Sequence, residues 1–319
     1  MLISLLLVGG VVAAVVVAVL IVRGHRGPAP AAAPPATSAP ATTTSKPPKD
    51  MRLPAALVVK VDNVSAARPH TGIGGADAIV IEPVEGGLTR ILAVYWGERP
   101  QVVGPVRSAR ESDIELLAQF KRPVLAYSGS ASQLEPSLRR ADLVLASPDV
   151  GTPGFYRSAT RPSPHNMYVN PNRLPETTPV ESPLPFGEAP DGGKSVSSHR
   201  ASYRSAKYGF TWSEQDERWR VSLNGSPLVS TERGRMTAAT VVVQRVKIVR
   251  GLGIEDAAGS VSPVARTVGT GPAVVLRDGK AYQATWSRPS AKKPTTFTTS
   301  EGEPLPFAKG TAWVLLVPE

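Results

Sequence analysis

Apolar residues fill the chain from Met1 to Val22 with no charged side chain among them, which is about the length a helix needs to cross the bilayer core. From Gly27 to Lys49 the pattern reverses to Pro, Ala, Ser and Thr, a composition that builds no core and extends to roughly 70 Å at ~3.1 Å per residue. Beyond it, apolar runs return at strand length. Ala55 to Asp62 reads as a buried strand, and Ala78 to Glu85 and Leu88 to Trp96 read as two more, joined by Gly86-Gly87 as a tight hairpin. Pro83 predicts an edge or a bulge in the first of these two. Ser108 with Glu111 forms a capping-box pattern ahead of Ile114, Leu117 and Phe120, predicting a helix that starts at Ser108. A strand at Val124 to Tyr127, a helix over Gln133 to Ala141 and a strand at Leu143 to Ala146 follow.

Pro171 to Ser198 is rich in Pro, Gly, Glu and Ser and reads as a connection. After it, helical periodicity nearly vanishes. Asn224-Gly225 and Asp278-Gly279 are hairpin turns between strand-like runs, and Thr240 to Val249, Ala273 to Leu276, Ala281 to Trp286 and Thr311 to Val317 are further strands. The expected fold class is α+β. A transmembrane helix or uncleaved signal anchor (1–22) leads to a disordered linker (23–52), a layered α/β domain (53–175), a second linker (176–201) and a β-rich domain (202–319). A cleaved signal peptide competes with the anchor, with small residues at Ala31 to Ala33 offering a cut site.

Charge changes this picture little. The net charge of +10 divides as +3 over residues 1–50, +3 over 51–175 and +4 over 176–319, so no basic stripe suited to nucleic acid is present. A diffusely basic surface suits an anionic envelope. Arg23, His25 and Arg26 follow the apolar segment, and the positive-inside rule taken alone would put the domain in the cytoplasm. The stalk-like tether argues for an extracytoplasmic domain on a single-pass membrane protein. The chain has no cysteine, which excludes disulfides, thiolate chemistry and lipid attachment through a cysteine.

Unusual polar residues cluster at element ends in the first domain: Asp62-Asn63, Arg68-Pro69-His70, Glu85-Gly-Gly-Leu-Thr-Arg90, Gly104-Pro-Val-Arg-Ser-Ala-Arg110, Ser128-Gly-Ser130 and Pro164-His-Asn166. In order and wording this series resembles the YerB-like family of bacterial envelope lipoproteins, domain of unknown function 3048. The resemblance runs from about Leu53 to Glu319 and includes Gly269-Thr-Gly271, Trp286 and Gly310-Thr-Ala-Trp313. It implies an α/β part followed by a β-rich part, and no established reaction. Family members commonly carry a lipidated cysteine, so here the apolar segment would replace the lipid.

Arg107 and Arg110 around Ser108 form a candidate anion-binding corner, since a helix start exposes N–H groups and guanidinium matches phosphate or carboxylate. The other reading pairs these arginines with Glu85, Glu111 or Asp113 as structural ion pairs. Arg90, Ser128, Ser130 and Asn166 complete the candidate ligand site. Glu85 and His165 are candidate acid/base groups, and Asp62 is an alternative partner; a buried structural histidine is the competing account of His165. His25, His70, His165 and His199 lack metal-ligand spacing, and nucleotide fingerprints are absent, so neither metal nor cofactor is expected. Trp212, Trp219, Trp286 and Trp313 are expected in the core. Three functions remain in play: binding of an anionic cell-wall glycan, phosphate polymer or peptide carboxylate; an envelope hydrolase or transferase; and a scaffold for wall-synthesis proteins.

Overall fold

The computed structural model describes residues 56–178, 184–256 and 259–319. The expected anchor (1–22) and tether (23–52) lie outside the described residues, and among those described no helix is long and apolar enough to cross a membrane. The fold is mostly β with few helices. Its first part runs β1 (Leu57–Val61), β2 (Ala78–Pro83), β3 (Thr89–Tyr95), α1 (Glu111–Leu117), β4 (Val124–Ala126), α2 (Glu135–Arg140), β5 (Val144–Ala146), β6 (Phe155–Arg157) and β7 (Met167–Val169). The second part adds β8 (Ser198–Ser202), β9 (Lys207–Ser213), β10 (Arg218–Leu223), β11 (Thr240–Val246), β12 (Gly269–Arg277), β13 (Lys280–Arg288), β14 (Thr296–Thr299) and β15 (Ala312–Pro318).

One large sheet runs through both parts in the order β14-β13-β12-β11-β15-β2-β3-β1-β4-β5. The seam is the parallel pairing of β2 with β15, from Ala78 opposite Ala312 to Ile81 opposite Leu315. The segments expected as separate domains therefore share a sheet, and the described residues form one compact unit. Nor is 176–201 a free linker where it is described: Lys194–Ser195 pairs with β13, Phe186 bridges Phe307, and β8 begins at Ser198.

Continuous apolar runs mark strands buried on both faces, and β1, β2 and β3 are buried at every position. Successive side chains point to opposite faces. Leu57, Val59, Ile79, Ile81, Ile91, Ala93 and Trp313 pack against Tyr208, Phe210 and Trp219 of the second sheet, β8-β9-β10. Val58, Val80, Leu92 and Val94 pack with Leu116 and Leu117 of α1, and with Leu134 and Leu138 at α2. The result is three layers: helices, large sheet, small sheet. Of the four tryptophans expected in the core, Trp219, Trp286 and Trp313 are buried, and Trp212 is partly buried against it.

Local turn chemistry decided several elements. Asn224-Gly225 and Asp278-Gly279 take positive φ at both positions, the conformation that closes tight hairpins. Gly86-Gly87 does not make a two-residue hairpin. β2 and β3 close at Pro83 opposite Thr89, and the connection forms a 3-10 turn over Glu85–Gly87. Pro83 makes no bulge; it ends β2 beyond its pairing with β15, where that side of the strand is open and the missing N–H costs the ladder nothing. The helix starts later than the sequence pattern predicts. Arg107 N–H donates to the Lys60 carbonyl, Ala109 N–H to Gly129 and Ser128 N–H to Arg107, so residues 107–109 stay extended. Arg110 becomes the N-cap residue, and its N–H donates to Asp113 Oδ2 at 2.7 Å.

Candidate functional site

Lys60, Glu82 and Arg90 continue the helix-facing rows of Val58, Val80 and Leu92 by two residues. They put three charges into a layer that is otherwise apolar, and Glu82 lies directly opposite Arg90 in the ladder. Charges at such depth persist only when paired. Lys60 Nζ donates to Glu82 and to Asp113 of α1, the latter at 2.6 Å, and all three side chains are fully buried. Burial raises the Glu82 carboxyl to about 7; the Lys60 charge opposes this and the neighbouring Asp113 adds to it. Its Oε2 has no hydrogen-bond partner among the described residues. This triad ties β1, β2 and α1 together.

Asp62, immediately after β1, is the hub of a second cluster. Its side chain is fully buried and accepts from the Asn63 N–H at 2.8 Å. Arg90 lies at 3.5 Å, Arg107 Nε at 3.2 Å and His165 Nδ1 at 2.6 Å. Burial by itself would raise the Asp62 pKa, but the charge of Arg90, the hydrogen bond to His165 and the charge of Arg107 outweigh it and hold the carboxyl below its ordinary range. An ionised Asp62 fixes the imidazole with Nδ1–H donating, which leaves Nε2 as the free edge. His70 supports the backbone here: its buried Nε2 donates to the Asp62 carbonyl at 2.8 Å, and burial pushes its pKa down to about 4.

Arg107 and Arg110, read together from the sequence, differ in the structure. Arg110 holds Glu85 through two bonds, Nε to Oε1 at 2.7 Å and Nη2 to Oε2 at 3.1 Å, and its Nη1 donates to the Ala109 carbonyl at 3.1 Å. Burial of Glu85 would raise its pKa, but the bond and charge of Arg110 bring it below the ordinary value. Arg107 contacts Asp62 through Nε, and its terminal nitrogens make no hydrogen bond among the described residues. Its side chain is 24 % exposed and that of His165 22 %. Arg90 is almost wholly buried and donates to the Thr89 carbonyl.

The remaining sequence candidates scatter. Ser108 offers its carbonyl to Arg110 at 3.5 Å and does not cap the helix. Ser128 meets Arg107 through its backbone N–H. Ser130 lines a separate cavity of about 130 Å³ with Tyr127, Glu135 and Arg139. Asn166 uses its amide on Arg157 and the Ser158 carbonyl. Glu85 and His165 are not partners: Glu85 pairs with Arg110 and His165 with Asp62. Sequence reasoning missed the Lys60–Glu82–Asp113 triad, having placed Asp113 only as a partner for the arginines. The available signal was a lone charge inside each of the apolar runs LVVKV and AIVIEP.

Family models place the relationship. Residues 42–182 match "Protein of unknown function (DUF3048) N-terminal domain" and residues 199–314 match its C-terminal domain. The "Putative lipoprotein YerB" of Bacillus subtilis (strain 168) is 26 % identical over 286 residues, covering 84 % of this chain and 82 % of that protein. The crystal structure of the YerB protein from Bacillus subtilis matches with a TM-score of 0.68 at 21 % identity, over 86 % of this chain and 94 % of that one.

Proposed function

Since the chain belongs to the DUF3048 family through both its N- and C-terminal domains, we propose that it is an envelope protein, anchored by residues 1–22 with its folded domain outside the membrane, that binds an anionic ligand at Arg107. The similarity to a protein named as a lipoprotein supports the envelope placement. One observation carries the ligand reading: Arg107 spends only Nε on Asp62, at the same Oδ2 that the partly exposed His165 contacts, and its terminal nitrogens make no hydrogen bond among the described residues. Two parallel N–H donors suit phosphate or carboxylate. Arg90 holds Asp62 from beneath, and Arg110 is withdrawn from ligand duty by Glu85.

The test is calorimetric titration of the full-length chain, kept in mild detergent, with inorganic phosphate and a glycerol-phosphate oligomer. A charge-assisted hydrogen bond is worth about 1.5–3 kcal/mol, so Arg107→Ala should weaken binding roughly ten- to a hundredfold. Arg107→Lys should restore part of it, because the charge returns without the planar fork. Binding unchanged by Arg107→Ala, or no binding by the parent, ends this reading.

The bond of 2.6 Å between His165 and Asp62 favours a second reading. A buried carboxylate that orients an imidazole is an acid/base arrangement, with Asp62 in the place expected of Glu85. It requires turnover of the bound ligand, and recovery of every ligand intact after long incubation would remove it.

A further inference from the structure

The hairpin β6–β7 carries the loop that delivers His165, and it also displays an aromatic surface that the anion site does not use. Tyr156 is 46 % exposed and stacks on Tyr168, with ring centroids 6.0 Å apart and planes inclined by 25°. The two tyrosines lie opposite one another in the hairpin ladder. Tyr168 is buried beneath and packs on Gly104 so closely that a Cβ at that position would fall 2.5 Å from its ring. The outer ring is thus backed by a second ring with no freedom to retreat.

This pair is held in fixed relation to the anion site. Val103 and Val169 exchange backbone hydrogen bonds at 2.9 and 3.0 Å, and Val106 N–H donates to the Met167 carbonyl at 2.6 Å. The strand pair is therefore fastened along the segment that ends in Arg107. Tyr168 is three residues from His165, and Gly104 is three from Arg107, spans of about 10 Å at most. Arg161, in the hairpin loop, donates to the carbonyls of Ala66 at 3.3 Å and Pro69 at 2.6 Å and fastens the loop to the chain following Asp62.

We infer that Tyr156, stacked on Tyr168, is a sugar-binding shelf beside the anion site, so that the ligand is a phosphorylated or acidic saccharide whose ring lies on Tyr156 while its anionic group meets Arg107. The inference rests on the anion-binding reading and gives it a ligand class. A tyrosine face offers a broad, rigid, amphipathic contact at small conformational cost, matching the C–H face of a pyranose. Sites for small ligands characteristically combine such aromatic surface with a few fixed polar groups.

The experiment compares N-acetylglucosamine 1-phosphate with inorganic phosphate on the full-length chain in detergent, using the parent, Tyr156→Ala, Tyr156→Phe and Arg107→Ala, with a thermal melt to verify folding. The sugar phosphate should bind the parent more tightly than phosphate. Tyr156→Ala should weaken the sugar phosphate about three- to tenfold and leave phosphate unchanged, Tyr156→Phe should retain binding, and Arg107→Ala should weaken both ligands. Equal affinity of the parent for the two ligands, or an equal loss of both on Tyr156→Ala, overturns the shelf and leaves the anion site standing. Failure of both ligands to bind overturns the anion site and the shelf with it.

Discussion

Two ionic clusters sit within three residues of each other on β1 and its continuation, and they are built to opposite ends. At Lys60 every partner comes from regular structure, β2 and α1, and solvent is excluded from all three side chains. At Asp62 the partners come from β3, the extended 107–109 segment and the hairpin loop, and two of them reach the surface. The carboxylate is sealed in both. What differs is whether its cations have an outer side. A cation closed in by its own carboxylates can only hold elements together, whereas one that is partly exposed and bound through a single nitrogen still has donors to offer.

The sharpest way to break this comparison is to remove Lys60. Lys60→Met strands two buried carboxylates and should cost about 3–5 kcal/mol of stability, read as a large fall in the denaturation midpoint. A shift as small as that of a surface substitution would show that the triad does not weld the layers.

The arginines provide the next test. Arg110→Ala leaves the largely buried Glu85 without its bidentate partner and should cost about 2–3 kcal/mol. Arg107→Ala leaves Asp62 with Arg90, His165 and the Asn63 N–H, and at a partly exposed pair should cost about 1 kcal/mol or less. Thermal melts of the two variants that superimpose would erase the distinction between a structural and an available arginine.

A further test lies in the pH dependence, where the two carboxyls work in opposite directions. Below its ordinary 4.5, Glu82 is protonated in folded and unfolded chains alike. Between there and about 7 only the unfolded chain releases the proton, so the Glu82 contribution to stability is lost as pH rises through that window. Asp62, held below its ordinary 3.8, stabilises the fold above that value and loses its contribution as pH falls through its folded pKa. Glu82→Gln should flatten the slope on the neutral side and leave the acid side unchanged, as measured by urea melts across both ranges.

What could be read in the sequence follows from these same contrasts. The strands at LVVKV, AIVIEP and TRILAVY were legible because a strand covered on both faces is mostly apolar, and the Asn-Gly and Asp-Gly turns were legible because φ is a local property. The join between β2 and β15 was not, because no local pattern encodes which strand lies beside which. The helix start was misplaced because Ser108 matches a cap, while the competing backbone bonds come from Lys60 and Gly129, distant in sequence. In the site, Arg107 and Arg110 carry the same local signal. Only the position of Glu85, swung out by a glycine turn, decides which of them is spent.

The position of β15 between β11 and β2 also sets the order in which this fold can be completed. Ala78 finds its neighbour only when Ala312 arrives, so β2, at the margin of the first five strands, waits with one row of backbone groups unpaired until the rest of the chain has been made. Closure over so long a range is slow, and a chain without β15 exposes an adhesive edge on β2. Any truncation ahead of Ala312 should therefore yield a protein that aggregates through that edge rather than a smaller version of the same fold.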